Sequence, residues 1–369
     1  MRSRRSIVLA ICSVALAGVV FASLRIASTH QAGMTEVTLQ LKWVTQAQFA
    51  GYYAAKAKGF YKDAGLDVNI KVGGPDIVPE QVVLGGQAEF GIDWLASLLA
   101  NRDTGHDLVN IGQVYTRSGK TEVTFKDSGI DAIQQMKGKK YGVWIFGIEF
   151  EQEAALVKAG LDPKKDVTLV KQTFDMVAFL KRQLDAASAM TYKELAQVLE
   201  SKNPRTGKLY QLSELNVFKM SDLGTEMLQD GVFVKGSWIT SAAHQVTAVK
   251  FLEASFRGWV YCRDHVQECV DIVLAEDTAL QRGDQTWQMN EVSALIWPNR
   301  LGVGVMDPDS FRNTASIAYK FKVIKKPATT AAYRSDFAQQ AIAALEEEGI
   351  DVYGESWRKA VVKLTEGGK

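Results

Sequence analysis

Two kinds of hydrophobic spacing alternate along this chain, and that alternation limits its possible folds more than any other feature. "VTLQLKW" places Val37, Leu39, Leu41 and Trp43 on one face, the period of a strand. The following stretch carries Phe49, Tyr52 or Tyr53, and Phe60 towards that sheet before "KDAG" closes the unit. "LDVNIKV" alternates again, and "PEQVVLGG" reads as a short helix stopped by two glycines. "AEFGI" is a third strand, Asp93 a plausible cap for the helix "WLASLLANR", and "LVNIGQVY" a fourth strand. Strands alternating with helices at this spacing predict an α/β layer structure with a mostly parallel sheet.

The pattern then restarts. "SGIDAIQQMKG" reads as a helix, followed by the strand "KKYGVWIF", the helix "EFEQEAALVKAG", the strand "DVTLVKQ", the helix "DMVAFLKRQL", the strand "AASAM" and the helix "TYKELAQVLES". "AGLD" occurs at 64–67 and 159–162, each time where a helix stops at glycine and a strand follows. "GVFVKGSW" is one more extended segment, and beyond it the sequence is almost wholly helical. The expected organisation is a first lobe over 34–128, a second over 129–232, and a return to the first lobe with helices over 233–369. Crossings are placed near Lys126–Gly129 and Gly231–Ser237. Open α/β sheets bind ligands outside the carboxyl ends of their strands, which here face a cleft between the lobes.

Residues 1–33 read as an export signal or a membrane anchor. Three arginines precede an uncharged, mostly apolar run from Ile7 to Leu24. As a helix this run would span about 27 Å, roughly a bilayer core. Cys262 and Cys269 would stand about 10 Å apart on one unbroken helix, too far for a bridge. A second helix start at Asp264 or His265 would fold them together, so buried thiols and a disulfide both remain open. The 43 basic and 42 acidic side chains leave a net charge of +1, which gives no electrostatic reason to expect nucleic acid as a partner.

Catalytic motifs are absent: there is no G-x-S-x-G, no phosphate-binding loop, no G-x-G-x-x-G after a strand and no H-E-x-x-H. His30, His106, His244 and His265 are scattered without metal-ligand spacing. Aromatic and acidic residues at strand ends remain. Trp43 closes the first strand beside a turn made polar by Gln46 and Gln48, and Trp94 follows the third strand. Trp144 lies near the end of a second-lobe strand, with Phe146, Glu149 and Phe150 where that strand yields to its helix. Tyr192 and Glu194 follow "AASAM". Tyr52 and Tyr53 are adjacent on a helix, so one packs inward and the other, taken as Tyr53, faces the cleft. Rings that sandwich a heterocycle contribute about 0.5–1.5 kcal/mol each beyond burial. A carboxylate accepts hydrogen bonds from ring amines, whereas sulfonates and nitrate want arginine, lysine or exposed helix starts.

The stretches "LKWVTQAQFAGYYAAKAKGFYKDAGLDV" and "EQVVLGGQAEFGI", and later "KGKKYGVW", "DAASAMTYKELAQVLE" and "TWQMNEVSALIWP", carry a family likeness. The chain resembles ABC-importer solute-binding proteins of the thiamine-pyrimidine and sulfonate/nitrate superfamily over most of its length after about residue 35. The resemblance implies a type II periplasmic-binding-protein fold, two α/β lobes with a ligand cleft between them and a helical C-terminal part. It implies a monomer without a cofactor that delivers its ligand to a membrane permease. It places Trp43 against the ring of a small aromatic heterocycle, most of all a thiamine-precursor pyrimidine, and Glu194 at the ring's polar edge. Some members look like riboflavin binders. Others are pyrimidine synthases that use lysine-bound pyridoxal phosphate, a histidine and a cysteine-rich motif, and that motif is absent here.

Overall fold

A computed structural model describes residues 33–145 and 147–369. The expected export segment and Phe146 lie outside the described residues. Among the described residues, no helix is long and apolar enough to cross a membrane.

Among the described residues the ten strands are β1 (Thr35–Gln40), β2 (Leu66–Lys71), β3 (Phe90–Trp94), β4 (Leu108–Gln113), β5 (Lys120–Phe125), β6 (Lys140–Val143), β7 (Thr168–Lys171), β8 (Ala187–Met190), β9 (Leu215–Lys219) and β10 (Asp230–Lys235). They form a five-stranded sheet in the order β2-β1-β3-β10-β4, a three-stranded sheet β8-β5-β9 and a two-stranded sheet β6-β7. A bridge from Tyr141 to Ala186 ties the two smaller sheets together. The first sheet takes the strands of the expected first lobe together with β10, and the other two take β5 and the strands of the expected second lobe. The pairings of β1 with β2 and β3 are parallel, as the alternation predicts. β10, however, runs antiparallel to β3 and β4, because it returns from the second lobe and enters the first sheet from the opposite direction.

The pairings show where strands of each sheet begin relative to the expected crossings. β5 pairs with β8 and β9, so the second group of strands begins at Lys120, ahead of the boundary expected at 129. β10 lies wholly in the first sheet, so the return crossing is complete before Gly231. The helix expected over "SGIDAIQQMKG" is only a 3-10 turn at Ile133–Met136. The two crossing segments, 114–119 and 224–229, bond to each other. The Tyr115 amide donates to the Asp230 carbonyl at 3.0 Å, and the Gly119 amide to Gln229 Oε1 at 2.9 Å. Gln229 Nε2 donates to Ser118 Oγ and to Glu151 Oε2, which joins this hinge to the second lobe.

The aromatic residues after Trp43 mostly build the core. Phe49, Tyr52 and Tyr53 are buried in the main core, with Tyr52 edge-to-face on Trp259 of the helix Ala242–Asp264 at 5.6 Å between ring centres. Gly51 permits that approach, since a Cβ there would sit 2.3 Å from the Trp259 indole. Of the C-terminal helices, Ala242–Asp264 and Asp336–Glu347 pack against the first sheet. The last residues reach further, for Leu364 packs on the core of the second lobe and the Gly367 amide donates to the Glu200 carbonyl at 3.0 Å.

The long helix breaks at His265 and a new one starts at Val266, which brings Cys262 and Cys269 to a Cα separation of 5.4 Å, joined as a disulfide. Of the two readings left open by the spacing, the bridge is the one formed. Closing so short a loop restricts the unfolded chain by about 2 kcal/mol. We expect Cys262→Ser/Cys269→Ser to lose about that much in a denaturant titration. A double variant with an unchanged midpoint would mean that packing alone holds the helix corner.

Candidate functional site

The strand ends converge as the topology requires. Lys42 and Trp43 follow β1, Gln46 and Gln48 form the turn into the helix Ala50–Ala57, and Trp94 ends β3. From the second lobe come Trp144 and Ile148 after β6, and Met190, Tyr192, Lys193 and Glu194 at and after β8. These eleven residues line one small cavity of about 30 Å³, room for a water or two and not for a ring until the lining residues part.

Of the eight residues singled out by sequence, six line this cavity: Trp43, Gln48, Trp94, Trp144, Tyr192 and Glu194. Tyr53 does not. Its hydroxyl sits 3.0 Å from Thr45 Oγ1 and its ring is buried, which pushes its pKa up to about 12. Both tyrosines of the pair pack inward, so adjacency on the helix misled the choice between them. Glu149 also lies outside the lining; its Oε2 accepts from the Gly147 amide at 2.8 Å, just before the helix Phe150–Lys158.

The two indoles from opposite lobes meet edge to face. The Trp43 and Trp144 ring centres are 6.4 Å apart with planes inclined at 63°. A guest sandwiched between parallel rings needs about 7 Å between their planes, twice an ordinary carbon contact. The expected sandwich is therefore not in place: a guest stacks on one indole and meets the edge of the other, unless one of them turns. Trp144 is held by its Nε1, which donates to the Thr173 carbonyl at 3.0 Å, and by the Lys120 ammonium 5.1 Å from its ring centre.

The polar part of the cavity is ordered by buried charge. Asp230 receives Trp94 Nε1 on one oxygen at 2.9 Å and Gln48 Nε2 on the other at 2.8 Å. Burial raises its pKa to about 7, although both donors pull the other way. Lys42 pairs with Asp93 at 2.8 Å. Burial alone would lower the Lys42 pKa, but Asp93 and the buried Glu80 more than offset it and hold it above its ordinary value. Glu194 accepts the Met190 amide on Oε2 at 3.0 Å, and burial raises its pKa to about 7. Lys193 pairs with Asp284 at 2.6 Å. No arginine lines the cavity among the described residues, and both of its lysines are ion-paired.

Sequence reading missed Lys42, Gln46 as a lining residue, Lys193, Ile148, Met190 and the supporting Asp230. The available signal for Asp230 was a single acid opening the apolar run "GVFV" where the return crossing enters the sheet.

Comparison with known proteins adds four findings. A family model described as "NMT1/THI5 like" matches residues 46–269. The riboflavin-binding protein RibY of Chloroflexus aurantiacus is 25% identical over 303 residues, covering 78% of this chain and 81% of that protein. A 4-amino-5-hydroxymethyl-2-methylpyrimidine phosphate synthase of Legionella pneumophila is 29% identical over 131 residues, but the match covers only 35% of this chain and 41% of the enzyme. In fold, the periplasmic nitrate-binding protein NrtA of Synechocystis PCC 6803 superposes with a TM-score of 0.64 at 13% identity, over 87% of this chain and 92% of that one.

Proposed function

The chain belongs to the NMT1/THI5-like family, and from that premise we propose that it is the extracytoplasmic substrate-binding component of an ABC importer, taking a small aromatic heterocycle between its lobes. The observation that carries this reading is the meeting of Trp43 and Trp144, one from each lobe, beside the buried Glu194 carboxyl. A planar guest touching both indoles bridges the lobes and favours the closed state, the form a permease recognises. A thiamine-precursor pyrimidine suits the cavity's two indoles and single acidic edge, and RibY supports the wider class of flat heterocycles.

An anion such as a sulfonate or nitrate is less well served. It needs donors that are not already committed, and Lys42 and Lys193 each face a carboxylate. The synthase reading fares worse still. Pyridoxal phosphate needs a lysine amine for its imine and cationic or helix-start donors for its phosphate. The cavity's lysines are ion-paired and it has no arginine, so the residues present do not fit that group.

A thermal-shift panel tests the reading with 4-amino-5-hydroxymethyl-2-methylpyrimidine and riboflavin against taurine and nitrate. A heterocycle at a hundred times its Kd should stabilise the fold by about 2.7 kcal/mol, a rise of several degrees in Tm. Stabilisation by taurine or nitrate alone would overturn the ligand class.

A further inference from the structure

The amide groups around the cavity form a directed chain. Gln288 Nε2 donates to Gln46 Oε1 at 3.3 Å, Gln46 Nε2 to Gln48 Oε1 at 2.7 Å, and Gln48 Nε2 to Asp230 Oδ2 at 2.8 Å. A side-chain amide can point either way, so something must choose the direction. Both ends choose it here. At one end the ionised Asp230 of the protein above pH 7 accepts only, so Gln48 must offer it its nitrogen; the other Asp230 oxygen is already taken by the Trp94 N–H. At the far end the backbone amide of Gln48, which can only donate, points at Gln288 Oε1 at 2.9 Å. That fixes Gln288 with its oxygen on Gln48 and its nitrogen on Gln46. The two constraints agree, and reversing any one amide would face nitrogen with nitrogen or oxygen with oxygen.

Gln46 and Gln48 both line the cavity. Each amide nitrogen carries a second hydrogen that this chain of bonds leaves unused. A buried N–H without a partner costs more than an oxygen that already accepts one bond. The Gln wall is therefore a donor wall, while Glu194, across the cavity in the second lobe, is an acceptor.

We propose that Asp230, which does not itself line the cavity, is a positioning residue that polarises the Gln46–Gln48 wall, so that the preferred guest is a flat ring with acceptor atoms towards that wall and an N–H donor towards Glu194. An aminopyrimidine has this arrangement in its ring nitrogens and exocyclic amine, and the dione edge of a flavin has it in its carbonyls and ring N–H. The assignment rests on the heterocycle reading above and narrows it to rings with both an acceptor and a donor edge. Asp230 also opens β10 directly after the return crossing, with its carbonyl bonded to Tyr115 of the other crossing. The donor wall is thereby anchored at the hinge.

Calorimetric titration at pH 8 with 4-aminopyrimidine, aniline and pyrimidine tests this. Aniline lacks the acceptors and pyrimidine lacks the donor. In the unaltered protein both should bind at least tenfold more weakly than 4-aminopyrimidine. In Asp230→Asn the carboxamide offers Gln48 a nitrogen, the chain reverses against the fixed Gln288, and the aniline ratio should fall to within about threefold. The pyrimidine ratio, which reports on Glu194, should stay above tenfold. Equal weakening of all three probes with unchanged ratios would make Asp230 a purely structural residue and overturn the proposal, leaving the heterocycle reading intact. If the unaltered protein binds none of the three, the heterocycle reading fails first and the proposal with it. Should Asp230→Asn not fold, Gln46→Glu removes the middle donor directly and is judged by the same two ratios.

Discussion

Trp43→Ala is expected to weaken binding of a planar heterocycle by roughly 30- to 150-fold, the equivalent of about 2–3 kcal/mol of lost stacking and burial. The indole is only 8% exposed, yet it borders the cavity, so on the proposed reading a guest would take the place of part of what now covers it. Truncation also removes its edge contact with Trp144, 6.4 Å away between ring centres, and with it the direct aromatic contact across the cleft. Trp43→Phe keeps a flat face in the same place and should lose less than about tenfold. Calorimetry gives both affinities, and a melting curve shows that each variant is folded. If Trp43→Ala binds as tightly as the unaltered chain, the first lobe's indole is core and the guest sits elsewhere.

How much of this was readable beforehand depended on the range of the interactions involved. The alternation over 37–43 and the helix after it were legible because strand and helix periods are local. Trp43, Trp94, Trp144, Tyr192 and Glu194 were legible because α/β topology places strand ends together whatever their distance in sequence. Two strands, β5 and β9, were missed: "TEVTF" and "LNVFK" are short, and the second follows a charged turn that hides its period. The donor wall was out of reach for a different reason. Lys42 finds Asp93 51 residues away and Gln48 finds Asp230 182 residues away, and nothing local marks either pair. Tyr53 shows the reverse limit, since two adjacent tyrosines on a helix look equally able to face outward until Tyr52 is found on Trp259 and Tyr53 on Thr45, both buried.

The unliganded protein should be most stable in mildly acidic solution and lose stability towards pH 8.5. Glu122, Glu151, Glu194 and Asp230 are all buried, and burial, the largest influence on each, raises every one to about 7 from an ordinary 4.5 or 3.8. A carboxyl with a raised pKa holds its proton more tightly in the folded chain than in the unfolded one. Its contribution is complete below the unfolded pKa and disappears as pH climbs through the folded value. The window is therefore about pH 4.5 to 7, and the sign is opposite to that of a salt-bridged surface carboxylate. Together these groups should cost several kcal/mol by pH 8.5, or about 10 °C in Tm at roughly 2–4 °C per kcal/mol for a chain of this size. Ligand should show the converse dependence. An N–H donor against Glu194 favours the ionised form, so binding lowers its pKa and tightens as pH rises through 7. Glu194→Gln separates the two effects: it should flatten the stability profile in part and reduce the pH dependence of affinity, the remainder coming from Asp230. Melting curves from pH 5 to 9, with and without ligand, give both slopes. A Tm that climbs across that range in the unliganded protein would show that these carboxyls are ionised at little cost, through water reaching the cleft.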